Sequence, residues 1–147
     1  MTLLAFGDSG LVFFDYNFTY LNIIAAIISL FVGIIMTQSG LDKIFNWESE
    51  LEFMTEKFSK TILANFSTIG LIQVTILETL SGLLSLLGSV MTLFYGDESY
   101  GIVGLLLAAG SFCILMAGQR ISKDYDGSAA LVPYFILVIL GLFVYSS

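Results

Sequence analysis

The sequence predicts an all-α integral membrane protein: a four-helix transmembrane bundle with an amphipathic interfacial helix between its first and second spans. Composition is the first reason. The chain is 57% hydrophobic and 12% charged, with a mean hydropathy of +0.95, whereas soluble domains carry about 25% charged residues. Segment length is the second. Apolar stretches at about 18–38, 68–94, 100–118 and 129–146 approach or exceed the ~20 residues that a helix needs to cross ~30 Å of hydrocarbon. The third is periodicity. Runs such as IGLIQVTILETLSGLLSLLG lack the strict alternation that a membrane β-barrel requires. Residues 1–147 read as a single transmembrane domain without internal repeats.

The N-terminal segment MTLLAFGDSGLVFFDYNFTY has no basic residue, and Asp8 and Asp15 interrupt its apolar pieces. It does not read as a cleavable signal peptide, so the first span is expected to serve as the membrane signal. That span carries Asn22, Ala26, Ser29, Gly33, Met36, Gly40 and Lys43 at alternating spacings of four and three. A period near 3.5 marks a helix packed on a neighbour, and small residues let backbones approach in lipid. Lys43 therefore continues the packed face, whereas Asp42, one position off it, is expected to face water.

After the first span, DKIFNWESELEFMTEKFSK places Ile44, Trp47, Leu51, Met54 and Phe58 on one face, with Glu48, Glu50, Glu52, Glu56 and Lys57 filling much of the rest. This is an amphipathic helix at the interface or across the bundle end. Trp47 reads as an interfacial anchor. The run from Thr61 to Tyr95 is too long for one perpendicular span: either it tilts and projects from the membrane or it bends near Gly70, and the bend is the expectation preferred. In the second span the packed face consists of Thr75, Glu78, Gly82, Ser85, Ser89 and Thr92. The third repeats it with Gly101, Gly104, Ala108 and Ser111, and the fourth is expected to begin with Pro133 near its first turn.

One cysteine and no histidine exclude an intramolecular disulfide, a dithiol redox centre, histidine-ligated haem and a His/Cys metal site built from this chain alone. Cys113, among LAAGSFCILMAG, is expected to be a buried small residue. No metal and no intrinsic cofactor is expected. A net charge of −7 argues against nucleic acid and against an electrostatic grip on anionic lipid. All five basic residues, Lys43, Lys57, Lys60, Arg120 and Lys123, fall in the first and third inter-span loops. The positive-inside rule makes loops 39–67 and 119–128 cytoplasmic and puts both termini outside.

An ionisable side chain inside a span costs at least ~2.5–3.5 kcal/mol for Asp, Lys or Arg and so has a partner or a task. Glu78 is the one acid well inside a span, about 12 Å along the helix from Gly70. Lys43 can reach it through a flexible stem, so an ion pair is sterically reasonable. Glu78 could instead bond Ser29, Ser81 or Ser85 and merely set helix register. In the functional reading, Lys43 and Glu78 form the polar end of a pocket for a quinone head group, the carboxyl exchanging a proton as the quinone is reduced. Gln119, Arg120, Lys123, Asp124, Tyr125 and Asp126 form a second polar cluster, in which Arg120 suits an anion or a partner carboxylate.

SGLDKIF at 39–45 and LETLSGLLSLLG at 77–88 resemble the end of the first span and the glutamate-led second span of the DoxX-like family of small four-span bacterial membrane proteins. GQRISKDYDGSAALVPYF at 118–135 is similar to the form in relatives from Bacteroidetes. The resemblance runs from about Ile23 to Val144, and its matching positions are Gly40, Lys43, Glu78 and Gly82. It implies a bacterial cytoplasmic membrane and association with membrane redox systems as a subunit or anchor beside other membrane or peripheral redox proteins. A second copy of the chain stays open as a partner. The competing reading is a non-catalytic scaffold that holds a protein partner through the acidic helix and loop 119–128; a solute or proton carrier is disfavoured by the single deep acid.

Overall fold

The computed structural model describes residues 4–14 and 16–147; Asp15, one of the two acids noted in the N-terminal segment, lies outside the described residues. In chain order the elements are β1 (Leu4–Phe6), β2 (Gly10–Phe13), β3 (Tyr16–Thr19), α1 (Tyr20–Phe45), α2 (Trp47–Phe58), α3 (Ser67–Tyr95), α4 (Ser99–Ile121) and α5 (Tyr125–Tyr145). The helices α1, α3, α4 and α5 are each long and apolar enough to cross a membrane. Short connections make α3, α4 and α5 successively antiparallel, and the approaches of Gly40 to Thr79 and of Gly82 to Thr37 show that α1 runs antiparallel to α3. α1 packs most extensively on α3, α3 on α4, α4 on α5, and α5 returns to α1, which closes the bundle. This is an integral membrane protein of all-α class.

The outer surface explains why lipid is the consistent solvent. Ile27, Leu30, Phe31 and Ile34 on α1 are 46–60% exposed, and the other three spans carry comparable apolar belts. Inside, the small-residue stripes meet as the spacing demands. Ala26, Ser29, Gly33, Met36 and Gly40 of α1 are buried, as are all six stripe residues of α3 and Gly101, Gly104, Ala108 and Ser111 of α4. An apolar cluster of Ala25, Ile28, Val32, Met36, Leu105, Ala108, Phe112, Val138 and Tyr145 fills the side formed by α1, α4 and α5. The Tyr145 hydroxyl shares hydrogen bonds with Ser29 Oγ at 2.8 Å and Thr92 Oγ1 at 3.1 Å, tying α5 to α1 and α3.

Several expectations are corrected. The run from Thr61 does not bend at Gly70: turns occupy residues 59–66, α3 starts at Ser67, and Gly70 N donates to Phe66 O at 2.8 Å within a continuous helix. A glycine costs about 1 kcal/mol in a helix but leaves its hydrogen bond intact, so it need not break one. α1 continues past residue 38 to Phe45, which puts Ile44 on α1, 49% exposed and not on the apolar face of α2. Asn46, with φ −114° and ψ 35°, is the break. α2 packs on α3 and α1, with Trp47, Leu51 and Met54 partly buried and Phe58 buried; Met54 lies by Gly70 of α3 and Phe58 by Gly118 of α4.

Pro133 is not in a first turn, because α5 begins at Tyr125, capped by Asp124 Oδ1 accepting from Gly127 N at 2.9 Å. Pro133 therefore lies inside the helix, where its missing N–H leaves one carbonyl without the usual donor. Cys113 is exposed on the outer face of α4. The N-terminal segment, for which no strand is expected, forms an antiparallel sheet in the order β1-β2-β3. β2 and β3 pair Gly10 with Thr19 through to Phe13 with Tyr16. Tyr16 and Phe18 of this sheet meet Phe94 of α3 edge-on, so the sheet caps the end of the bundle opposite the basic residues.

Candidate functional site

Lys43 and Glu78 meet. Lys43 Nζ lies 2.8 Å from Glu78 Oε2, with side-chain exposures of 16% and 2%. Lys43 is on the last turn of α1, where an ammonium also complements the partial negative charge of a helix C-terminus. Glu78 is on the buried stripe of α3, in an apolar surrounding that leaves a carboxylate no solvent to turn to. Ser39, one turn before Lys43, completes the network: Lys43 Nζ donates to Ser39 Oγ at 2.9 Å, and Ser39 Oγ donates to Glu78 Oε2 at 3.0 Å.

The hydroxyl partner of Glu78 is thus Ser39, and neither Ser29, Ser81 nor Ser85 takes that place. Ser29 bonds Tyr145, Ser81 Oγ donates to Gly104 O at 2.9 Å, and Ser85 Oγ is buried without a partner. Sequence reasoning misses Ser39. The available signal is its i, i+4 spacing to Lys43 on a shared face.

Gly40 and Gly82 flank the pair and have a reciprocal role. A side chain at Gly40 would meet Thr79 of α3, and one at Gly82 would meet Thr37 of α1. The sequence writes this twice, as Thr37-x-x-Gly40 and Thr79-x-x-Gly82. Each helix seats its threonine over the other's glycine, which fixes the antiparallel register that brings residues 43 and 78 together. Between α3 and α4, Ser85 abuts Gly104, and Gly88 abuts Gly101. Continuing that register by two turns sets Ser111 opposite Glu78. Ser111 is fully buried, and its Oγ has no hydrogen-bond partner among the described residues.

Comparison with protein-family models, curated proteins and solved structures finds no significant match to this chain. The geometry is therefore read from its own residues. What it offers chemically is a carboxylate inside the bundle, a hydroxyl that both accepts from the lysine and donates to the carboxylate, and an ammonium at the boundary. The three form a compact triangle, because Lys43 Nζ meets both Ser39 Oγ and Glu78 Oε2.

The second cluster sits apart. Gln119, Arg120 and Lys123 make no hydrogen bond or ion pair with Lys43 or Glu78. The Arg120 guanidinium stacks 4.6 Å from the centre of the Tyr125 ring, the Gln119 side-chain oxygen is buried without a partner, and Lys123 is exposed. The ion pair here is Lys57–Asp124 at 2.7 Å, which ties α2 to the start of α5.

The hydrogen bond from Lys57, with a smaller contribution from Gly127 N–H, holds the Asp124 carboxyl below the usual aspartate range. A lowered value means the folded protein favours the carboxylate. Stability from this tie is therefore complete above the ordinary value of about 4 and is lost as pH falls through the lowered one. Thermal unfolding of the protein and of Asp124→Asn should differ by a constant amount from neutral pH to about pH 5 and converge in stronger acid. A gap unchanged in acid would remove the carboxylate from the account.

Proposed function

We propose that this protein is an integral membrane subunit or anchor of a membrane redox complex, DoxX-like in type, and that the Lys43–Ser39–Glu78 network receives a quinone head group. The observation that carries this reading is Glu78 itself: a carboxylate 2% exposed inside the bundle, ion-paired directly with a lysine at the bundle end and bonded to the Ser39 hydroxyl that the same lysine meets. Reduction of a quinone to a quinol consumes two electrons and two protons. Glu78 would pass protons by way of Ser39, and the unpartnered Ser111 hydroxyl would face the same level from α4. The chain has one cysteine and no histidine, so the electrons come from a carrier on a partner. The motifs SGLDKIF and LETLSGLLSLLG support the family assignment. The five basic residues at one end favour a bacterial cytoplasmic membrane with loops 39–67 and 119–128 inside.

The test is thermal unfolding in mild detergent with lipid-soluble quinones, beside mass spectrometry of what co-purifies. A quinone at a hundred times its Kd stabilises by about 2.7 kcal/mol, and Glu78→Gln should abolish most of that. A folded protein whose Tm ignores quinones would end the proposal.

A second reading, a scaffold without a ligand, is favoured by the acidic outer face of α2. Glu48, Glu52 and Glu56 are exposed, line one shallow groove and make no ion pair among the described residues. Under this reading, reversal of those three charges releases a co-purifying protein, and Glu78→Gln only lowers yield.

A further inference from the structure

Once the two ion pairs are set aside, Lys60, Arg120 and Lys123 remain; Arg120 stacks on Tyr125, whereas Lys60 and Lys123 are both exposed and not ion-paired among the described residues. Lys60 follows α2 and Lys123 follows α4, yet they line one recess of about 760 Å³ between the α2–α3 connection and the α4–α5 turn. Its size falls within the about 300–1,000 Å³ of small-ligand sites. The wall is amphipathic. Ile121, the last residue of α4, and Ile62, 82% exposed, are on the apolar side, and Glu56 is on the polar side. The recess lies where a membrane span ends, at the level at which lipid head groups meet protein.

Lys123 adds an observation of its own. Its φ of 59° is left-handed, at a position just past a helix end where glycine is the usual residue. The turn is closed by Lys123 N donating to Arg120 O at 3.2 Å and Asp124 N to Gln119 O at 2.8 Å. Glycine would make the same turn without strain. The chain instead carries an ammonium there, on the recess.

We propose that this recess binds the head group of a membrane phospholipid that carries both a phosphate and a primary amine, phosphatidylethanolamine in type. Lys60 and Lys123 take the phosphate, Glu56 takes the amine, and Ile62 and Ile121 meet the start of the acyl chains. A purely anionic head group would satisfy the lysines but face Glu56 and the rest of the acidic helix. A zwitterion with donor N–H groups satisfies both signs. The site is independent of the quinone reading.

The experiment is native mass spectrometry of the detergent-purified protein, incubated with phosphatidylethanolamine, phosphatidylglycerol or phosphatidylcholine of matched chains. Phosphatidylethanolamine should be retained about fivefold better than phosphatidylglycerol, a ratio equivalent to about 1 kcal/mol and on the scale of exposed ion pairs. The Lys60→Gln/Lys123→Gln variant should lose that retention, and Glu56→Gln should level the two lipids. Lys123→Gly separates binding from folding, because it relieves the left-handed backbone: Tm should hold or rise while retention falls. Three outcomes would overturn the proposal: undiminished retention in the double variant, preference for phosphatidylglycerol, or displacement by an equal concentration of soluble phosphoethanolamine. The last would make the ligand a free phosphate ester and not a lipid.

Discussion

Lys43→Ala should destabilise the protein by about 3–5 kcal/mol, because it strands the Glu78 carboxylate in the bundle without its cation. Glu78 is 2% exposed, so without the ammonium it is a buried carboxylate lacking its ion-pair partner. The reverse substitution is milder. In Glu78→Gln the lysine is 16% exposed at the end of α1, and its stem lets the ammonium turn outward to water. The cost should be about 1–3 kcal/mol, that of a lost charge-assisted hydrogen bond. The joint variant Lys43→Met/Glu78→Leu should recover most of the loss, since well-packed apolar residues replace buried ion pairs at little cost. Unfolding by denaturing detergent measures all three. Equal costs for the two single variants would contradict the asymmetry on which the argument rests. The joint variant also separates the two functional readings, since it restores the fold while removing the carboxyl that the quinone reading requires.

Gly88→Ala should cost about 3 kcal/mol, the upper end for overpacking, although it adds a single methyl group. Its side chain would point at Gly101 N and Cα and lie 2.9 Å from Tyr100 C. These are backbone atoms, which cannot rotate aside, so α3 and α4 must part. Separation would pull Gly104 O from Ser81 and disturb Gly101, against which the Tyr145 ring sits. The loss would thus spread to the bonds from Tyr145 to Ser29 and Thr92. The control is Gly110→Ala, where a side chain meets nothing within 4 Å. There alanine should stabilise the helix by up to about 1 kcal/mol. A folded Gly88→Ala protein as stable as Gly110→Ala would mean that the close approach of α3 and α4 is not needed.

What is legible in the sequence follows from what lipid penalises. A charge in hydrocarbon needs a partner, so spacing makes a Lys43–Glu78 pair reasonable beside the alternatives of Ser29, Ser81 and Ser85, and the structure selects the pair. Small residues at a 3.5-residue period must face another helix, and all three stripes do. Ser39 is missed because a serine can satisfy itself on its own helix, so its i, i+4 spacing to Lys43 does not by itself announce a partner on α3. Cys113 misleads through its small neighbours. Two positions beyond the buried Ser111 is about 200° around the helix, which turns it outward.

The sheet escapes for a different reason. Strands of three or four residues are too short for alternation to register. The turn cluster Gly7-Asp8-Ser9-Gly10 between apolar residues is the available signal. The expected start of α5 falls late because Asp126, Gly127 and Ser128 read as loop. Asp124 caps the helix ahead of them and draws them in.

β3 ends at Thr19 and α1 begins at Tyr20, with no residue between them. The strands and the first span are thus one uninterrupted run of chain, held against Phe94 of α3 at one end and carrying Lys43 on the last turn of α1 at the other. Sliding of α1 along α3 by a helical turn would unseat both interlocked threonines and glycines at once and would also drag the strands off Phe94, so the register that brings Lys43 to Glu78 is fixed at both ends of the same helix.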